Sequence, residues 1–227
     1  MMSVAEIHGY TSEQVAAAEA SSLERGVPLM ARAAAGLAAA VRSVLPEDGG
    51  VVLVLAGAGN NGADAMFAAA ELAGDDLSVA IVATADRAHP DALAAALEAG
   101  ARLIHAEDAP AVAGAADVVV DGILGTGTTG ALRGTARDIV AAVLPELMEN
   151  QDAYIVAVDV PSGVNPDDGS VPDPLLLPAD LTVTFGAYKA GLLLAPGSDF
   201  AGEVRLVDIG LDAKYAAMTP AVSVART

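Results

Sequence analysis

Cysteine is absent from all 227 residues. Disulfides, thiolate nucleophiles and Cys-ligated zinc or iron–sulfur centres are therefore excluded. Aromatic residues reach only 3% in a chain that is 54% hydrophobic, so the interior has to be filled by small side chains, chiefly alanine and valine, at helix–sheet contacts. Basic residues are scarce as well: 11 stand against 30 acidic ones, for a formal net charge of −19. Such a surface repels a polyphosphate backbone and an anionic membrane, and nucleic acid and membrane are not expected partners. The same acidity serves equally well as a plain solubility trait. No basic residue precedes Arg25, and charges interrupt each apolar run before it could span a bilayer, so neither a secretory leader nor a membrane segment is expected and a cytoplasmic location follows. No Pro/Ser-rich linker divides the chain, which reads as one domain over 1–227, with N-terminal helices about 11–43, an α/β core about 51–212 and a tail 213–227 that carries no readable motif. His8, His89 and His105 lie far apart without metal-ligand spacing, and are read as surface or structural residues.

What the chain does have is a glycine-rich turn between a buried strand pattern, Val51 to Gly57, and a helix pattern, Ala63 to Ala73. Strand, glycine turn and helix together place free backbone N–H groups and the positive end of a helix dipole at one spot, which suits an anion. Gly57, Gly59 and Gly62 spell the fingerprint G-x-G-x-x-G, which marks dinucleotide sites but also arises from tight packing alone. The carboxamides of Asn60 and Asn61 are more than a packing turn requires. Upstream, a helix is expected from Thr11 to Arg25, capped by Thr11 or Ser12, and another from Pro28 to about Arg42. Downstream, Leu77 to Ala83 reads as a strand, His89 to Gly100 as a helix and Ala101 to His105 as a strand. This βαβ rhythm predicts an α/β fold, a Rossmann-like three-layer αβα sandwich with a mostly parallel central sheet. Asp86, near the end of the second strand, is either a ribose ligand or a helix N-cap.

Further strand ends carry the remaining signal. The run Asp117 to Val120 leads into Asp121 and a loop, Gly122 to Gly134, in which Gly125, Gly127 and Gly130 allow close backbone approach and Thr126, Thr128 and Thr129 supply hydroxyls. Such a loop either wraps a phosphate or ribose or is merely flexible surface. After a helix around Thr135 to Met148, a strand from Tyr154 to Gly163 ends in Asp159, Pro161, Ser162 and Gly163, where open α/β sheets bind ligands. Strands at Leu181 to Phe185 and Glu203 to Val207 flank Lys189, a cation that either reaches an anionic ligand or sits in a solvated loop.

Four ordered segments, NNGAD (60–64), VDGILGTG (120–127), VDVPSG (158–163) and TVTFGAYKAGLLLAPG (182–197), together with the opening TSEQVAAAEASSLERG (11–26), resemble the NAD(P)H-hydrate epimerases, the YjeF N-terminal domain family. The resemblance implies interconversion of the R and S forms of hydrated NADH or NADPH, which bear a hydroxyl at C6 of the nicotinamide ring. It implies a potassium ion on Asn61, Asp121 and Ser162, and substrate contacts at Asn60, Asn61, Gly62, Ala63 and Asp64, at Gly125, Thr126, Gly127, Thr128, Thr129, Gly130 and Ala131, and at Asp159. It also implies a partner dehydratase, here expected on a separate chain, and a possible homodimer. Inversion at C6 requires loss of the hydroxyl, or ring opening, and its return on the other face. Asp159 is the candidate general acid/base and Lys189 a second choice; otherwise Asp159 only binds and orientation does the rest. The family's NNGGDG becomes NNGADA here, with Ala63 and Ala65 replacing glycines. Alanine costs about 1 kcal/mol if these positions need φ > 0, and gains about as much inside a first helical turn, the reading preferred here. Two other functions compete: a non-catalytic nucleotide-binding or scaffold module on the same fold, and an NAD dehydrogenase, for which no catalytic dyad is seen.

Overall fold

The computed structural model describes residues 6–74 and 76–225. In chain order it contains β1 (Glu6–Tyr10), α1 (Ser12–Glu24), α2 (Leu29–Arg42), β2 (Gly50–Ala56), α3 (Asn60–Leu72), β3 (Leu77–Ala83), α4 (Pro90–Glu98), β4 (Arg102–Leu103), α5 (Ala109–Ala113), β5 (Val118–Gly122), α6 (Gly134–Glu149), β6 (Tyr154–Val158), β7 (Leu181–Phe185), β8 (Tyr188–Lys189), β9 (Glu203–Val207), α7 (Asp212–Tyr215) and β10 (Val222–Ala225). Seven strands form the main sheet in the order β4-β3-β2-β5-β6-β7-β9, and all its pairings are parallel.

Continuous apolar runs produce this sheet because it is covered on both faces. Along β2, Val52, Val54 and Ala56 pack with the helices α1 to α4 on one face, while Leu53 and Leu55 pack with α5 and α6 on the other. The result is the expected three-layer sandwich, with alanine-rich helices lying close to the sheet. The chain winds outward from β2 to β4 and then returns to β5 on the other side of β2. Strand order therefore reverses between β2 and β5, and a crevice opens there beyond the carboxyl ends of the strands.

Several local expectations shift. Helix α3 starts at Asn60, three residues earlier than the pattern of apolar residues indicates, which places Ala63 and Ala65 inside the helix, fully buried. Their substitution for glycine is thus a helix-favouring change. Strand β6 stops at Val158 instead of running to Gly163, because Asp159 adopts φ 67, and the expected strand 101–105 shrinks to two residues. The capping of α1 is settled on Thr11, whose hydroxyl accepts from Gln14 N while Gln14 Oε1 accepts from Thr11 N. The tail is not featureless: β10 pairs antiparallel with β1, and β8 pairs parallel with β1 on the other side. Met1 to Ala5, Asp75 and the end of the expected tail, Arg226 and Thr227, lie outside the described residues.

Candidate active site

The crevice is a cleft of about 780 Å³. Three strand ends build it. After β2 the turn Gly57–Gly59 enters α3 and supplies Asn60, Asn61 and Asp64; after β5 the loop supplies Gly125 to Arg133; after β6 comes Asp159. Helix α1 adds Glu19, and Phe185 and Lys189 close the far side. Of the residues expected to touch substrate, Asn60, Asn61, Asp64, Asp159 and the whole stretch Gly125 to Ala131 line this one cleft. Gly62 and Ala63 do not. Both are buried on the inner side of α3, and a Cβ on Gly62 would stand 2.0 Å from the Gly57 carbonyl oxygen. A Cβ on Gly57 would likewise stand 1.9 Å from Ile123 O, whereas Gly59 has open space around it. Two glycines of the fingerprint thus serve contact between protein backbones. The first turn of α3 still presents N–H groups toward the cleft, with no side chain capping them.

Asp159 and Lys189 meet. Lys189 is only 1% exposed, so of the two sequence readings the solvated loop is excluded, and its ammonium is held by protein acceptors at the cleft. It donates to Asp159 Oδ1, to Phe185 O at 2.9 Å and to Thr184 Oγ1 at 3.1 Å. The same Asp159 oxygen accepts from Thr184 Oγ1 at 3.1 Å and from Phe185 N at 3.3 Å. With these donors gathered on Oδ1, Oδ2 is the oxygen available to a ligand. The positive φ at Asp159 aims the carboxylate into the cleft, a conformation aspartate tolerates better than most residues. A buried ion pair at this position is costly to build and points to use.

Asp64 is treated differently by its surroundings. Its Oδ1 is buried without a hydrogen-bond partner among the described residues. Burial, and then the negative charges of Asp159 and Glu19, push its carboxyl up to about 8, with Lys189 opposing. Glu19 is also raised, first by burial and then by Asp159, against the pull of Lys189. Because Asp64 holds its proton in the folded state well above the range where an unfolded aspartate loses it, the folded form binds more protons between about pH 4 and pH 8, and stability falls as pH rises through that window. Thermal melts of Asp64→Asn should therefore exceed wild type by a margin that grows from pH 5 to pH 8, with each kcal/mol gained read as about 2–4 °C; equal slopes for the two proteins would contradict the shift.

Asp121, Ser162 and Asn61 form a second group that reaches the cleft through Asn61 and is joined through the Leu124 peptide. Ser162 Oγ donates to Asp121 Oδ1 at 2.6 Å and accepts from Leu124 N at 2.8 Å; Ser162 N donates to Asp121 Oδ2 at 2.9 Å; Asn61 Nδ2 donates to Leu124 O at 2.8 Å. Asp121 is 1% exposed, its donors are neutral, no Lys, Arg or His ion-pairs with it among the described residues, and burial raises its carboxyl. A buried carboxylate lacking a counter-charge, bonded to a hydroxyl and linked through the Leu124 peptide to a carboxamide, is a hard-oxygen donor set that fits an alkali cation. It does not resemble a nitrogen- or sulfur-rich transition-metal site.

Asp86 is exposed and outside the cleft lining, and the N-cap of α4 is His89. Sequence reasoning missed Glu19 and Arg133. The first was findable: Glu19 falls on the inward stripe of α1 between Val15 and Ser22, where an acid is out of pattern.

A family model, YjeF-related protein N-terminus, matches residues 26–191. The chain belongs to this family. The matched segment takes in the cleft residues named above except Glu19 on α1. Among relatives, the NAD(P)H-hydrate epimerase of Clavibacter michiganensis is 50% identical over 225 residues, covering 96% of each chain. That of Microbacterium testaceum is 47% identical, over 98% of this chain and 86% of its own. The bifunctional NAD(P)H-hydrate repair enzyme Nnr of Mycobacterium tuberculosis is 39% identical over 90% of this chain but only 42% of its own length. In fold, the family member resembles yeast ynu0, with a TM-score of 0.68 at 22% identity over 82% of this chain and 83% of the other.

Proposed function

We propose that this member of the YjeF-related family is an epimerase acting on hydrated NADH and NADPH. The observation that carries the reading is near-full-length likeness to curated NAD(P)H-hydrate epimerases combined with a strand-reversal cleft that holds the buried Asp159–Lys189 pair. A non-catalytic module is not favoured, because a buried ion pair opening onto a cleft costs stability that a scaffold has no reason to bear.

In this reading the α3 N-terminus and the loop Gly125 to Ala131 hold the phosphates and riboses, which places the nicotinamide ring near Asp159. Oδ2 of Asp159 exchanges a proton with the C6 hydroxyl or its water, while Lys189 and Thr184 fix the carboxylate through Oδ1. Asn61, Asp121 and Ser162 would hold a potassium ion. That ion would supply a fixed positive charge against Asp121 and stiffen the Leu124–Gly125 turn. The protein would work beside a separately encoded dehydratase that accepts one epimer only, in the cytoplasm, and as a homodimer.

The test is a coupled assay. Dehydratase alone should stall once its own epimer in a mixed hydrate preparation is consumed, and adding this protein should carry conversion to completion. An unchanged stall would contradict the reading.

Arg133 gives a further check. Besides Lys189 it is the only Lys or Arg lining the cleft among the described residues, and no acidic side chain pairs with it there. In so acidic a protein it is the natural phosphate contact. Arg133→Gln should raise KM about tenfold, the scale of one charge-assisted contact, with kcat little changed and the salt dependence of KM flattened; steady-state kinetics at two ionic strengths would show it.

A further inference from the structure

We propose that Asp64 is a second catalytic residue, the proton donor that works opposite Asp159. The assignment rests on the epimerase reading above and deepens it.

Position is the first argument. Asp64 reaches the cleft from α3, which follows β2, and Asp159 from the end of β6; β5 lies between those strands. The ends of β2 and β6 lie roughly 10 Å apart across β5, and both acids line the one cleft that opens beyond them. A flat ring seated over the end of β5 would have one acid on each side. That is the arrangement an inversion needs, with a leaving group on one face and water arriving at the other, as in the wide carboxyl pairs of inverting glycosidases.

Surroundings are the second argument. Lys189, the Thr184 hydroxyl and the Phe185 N–H all converge on Asp159, donors that suit a carboxylate able to accept a proton. Asp64 receives none of this: its Oδ1 is buried with no partner among the described residues, which suits the neutral acid. The charged groups that act on Asp64 are Asp159, Glu19 and Lys189, and the two acids together with burial outweigh the cation. Two carboxyls in one cleft with divergent environments are how an active site divides acid from base.

The chemistry balances. Asp64 gives its proton to the C6 hydroxyl. The C6–O bond breaks with its electron pair leaving on oxygen as water, and the N1 lone pair forms the N1=C6 iminium. Water adds to C6 from the opposite face, its electron pair forms the new C6–O bond, the iminium pair returns to N1, and the surplus proton passes to Asp159. The reverse inversion runs the same steps backward. Between turnovers in one direction, solvent returns the proton from Asp159 to Asp64. No redox change occurs, and the oxygen of the product comes from solvent.

The experiment combines kinetics with isotope exchange on the full-length protein in H₂¹⁸O, starting from a single separated epimer. Wild type should incorporate one solvent oxygen per inversion. Asp64→Asn, with its fold checked by its melting temperature, should lose about 10²–10⁴-fold in kcat with KM within a few-fold, and Asp64→Glu should recover part of the loss. Three results would overturn the assignment alone: an unimpaired kcat in Asp64→Asn, a loss confined to KM, or inversion with retention of the original oxygen, which would indicate ring opening. A wild type that does not accelerate epimerisation at all would instead remove the epimerase reading on which the assignment rests.

Discussion

Asp159→Asn should abolish most turnover and destabilise the protein at once, and a second substitution should repair only the second defect. The asparagine keeps the shape of the side chain and tolerates φ 67 nearly as well, so the backbone is not the cause. What it removes is the counter-charge of an ammonium that is 1% exposed and otherwise held by the Thr184 hydroxyl and the Phe185 carbonyl. Stranding one partner of a buried pair costs about 3–5 kcal/mol, which a melt of a chain this size reads as roughly 6–20 °C. Loss of the acid/base should lower kcat by about 10²–10⁴-fold. Adding Lys189→Met to Asp159→Asn removes the stranded charge and should restore most of the melting temperature while leaving kcat at the low level. A double variant that recovers activity would show that the carboxylate is not needed for the chemistry. One that recovers neither would show that the pair is needed for the fold itself and not only for charge balance.

Equally large and more local are the glycine effects. Gly57→Ala and Gly62→Ala would each drive a methyl to about 2 Å from a backbone carbonyl oxygen, of Ile123 and of Gly57 respectively, and backbone cannot step aside as a side chain tip can. Each substitution should cost several kcal/mol, at the upper end of what overpacking produces; the first should spread β2 from β5 at the mouth of the cleft and the second should push α3 off the turn that precedes it. Gly59→Ala meets no atom within 4 Å and should cost about 1 kcal/mol or less as an N-cap change. Chemical denaturation of the three variants would rank them. Equal effects would contradict the packing described for this turn.

The contrast between these glycines shows what the amino-acid sequence does and does not disclose. Period and composition identify the strands of the main sheet and the helices on its faces, because runs such as Val51 to Ala56 are buried on both sides and leave a clean local signal. They do not identify β1, β8 or β10: these are short segments whose pairing joins residues far apart in the chain, such as Ile7 with Val224 and Gly9 with Tyr188, and no local pattern encodes it. Asp159 is legible as an acid after a strand, but its left-handed backbone is not, since Val160 and Pro161 continue the apolar run. Lys189 is left between two readings for the same reason: nothing local to a lone lysine between glycine-rich turns shows that Asp159 is brought to it from thirty residues away in the chain. Arg133 stands in unremarkable local sequence, whereas Glu19 shows only as an acid on the inward stripe of α1. The cleft then brings the two together.

The most direct measurement starts from one purified epimer of hydrated NADPH in neutral potassium buffer and follows appearance of the other by chromatography, with and without protein. Catalytic amounts of wild type should bring the two forms to equilibrium far faster than buffer alone, and Asp159→Asn should not. A wild-type rate equal to that of buffer would contradict the epimerase reading.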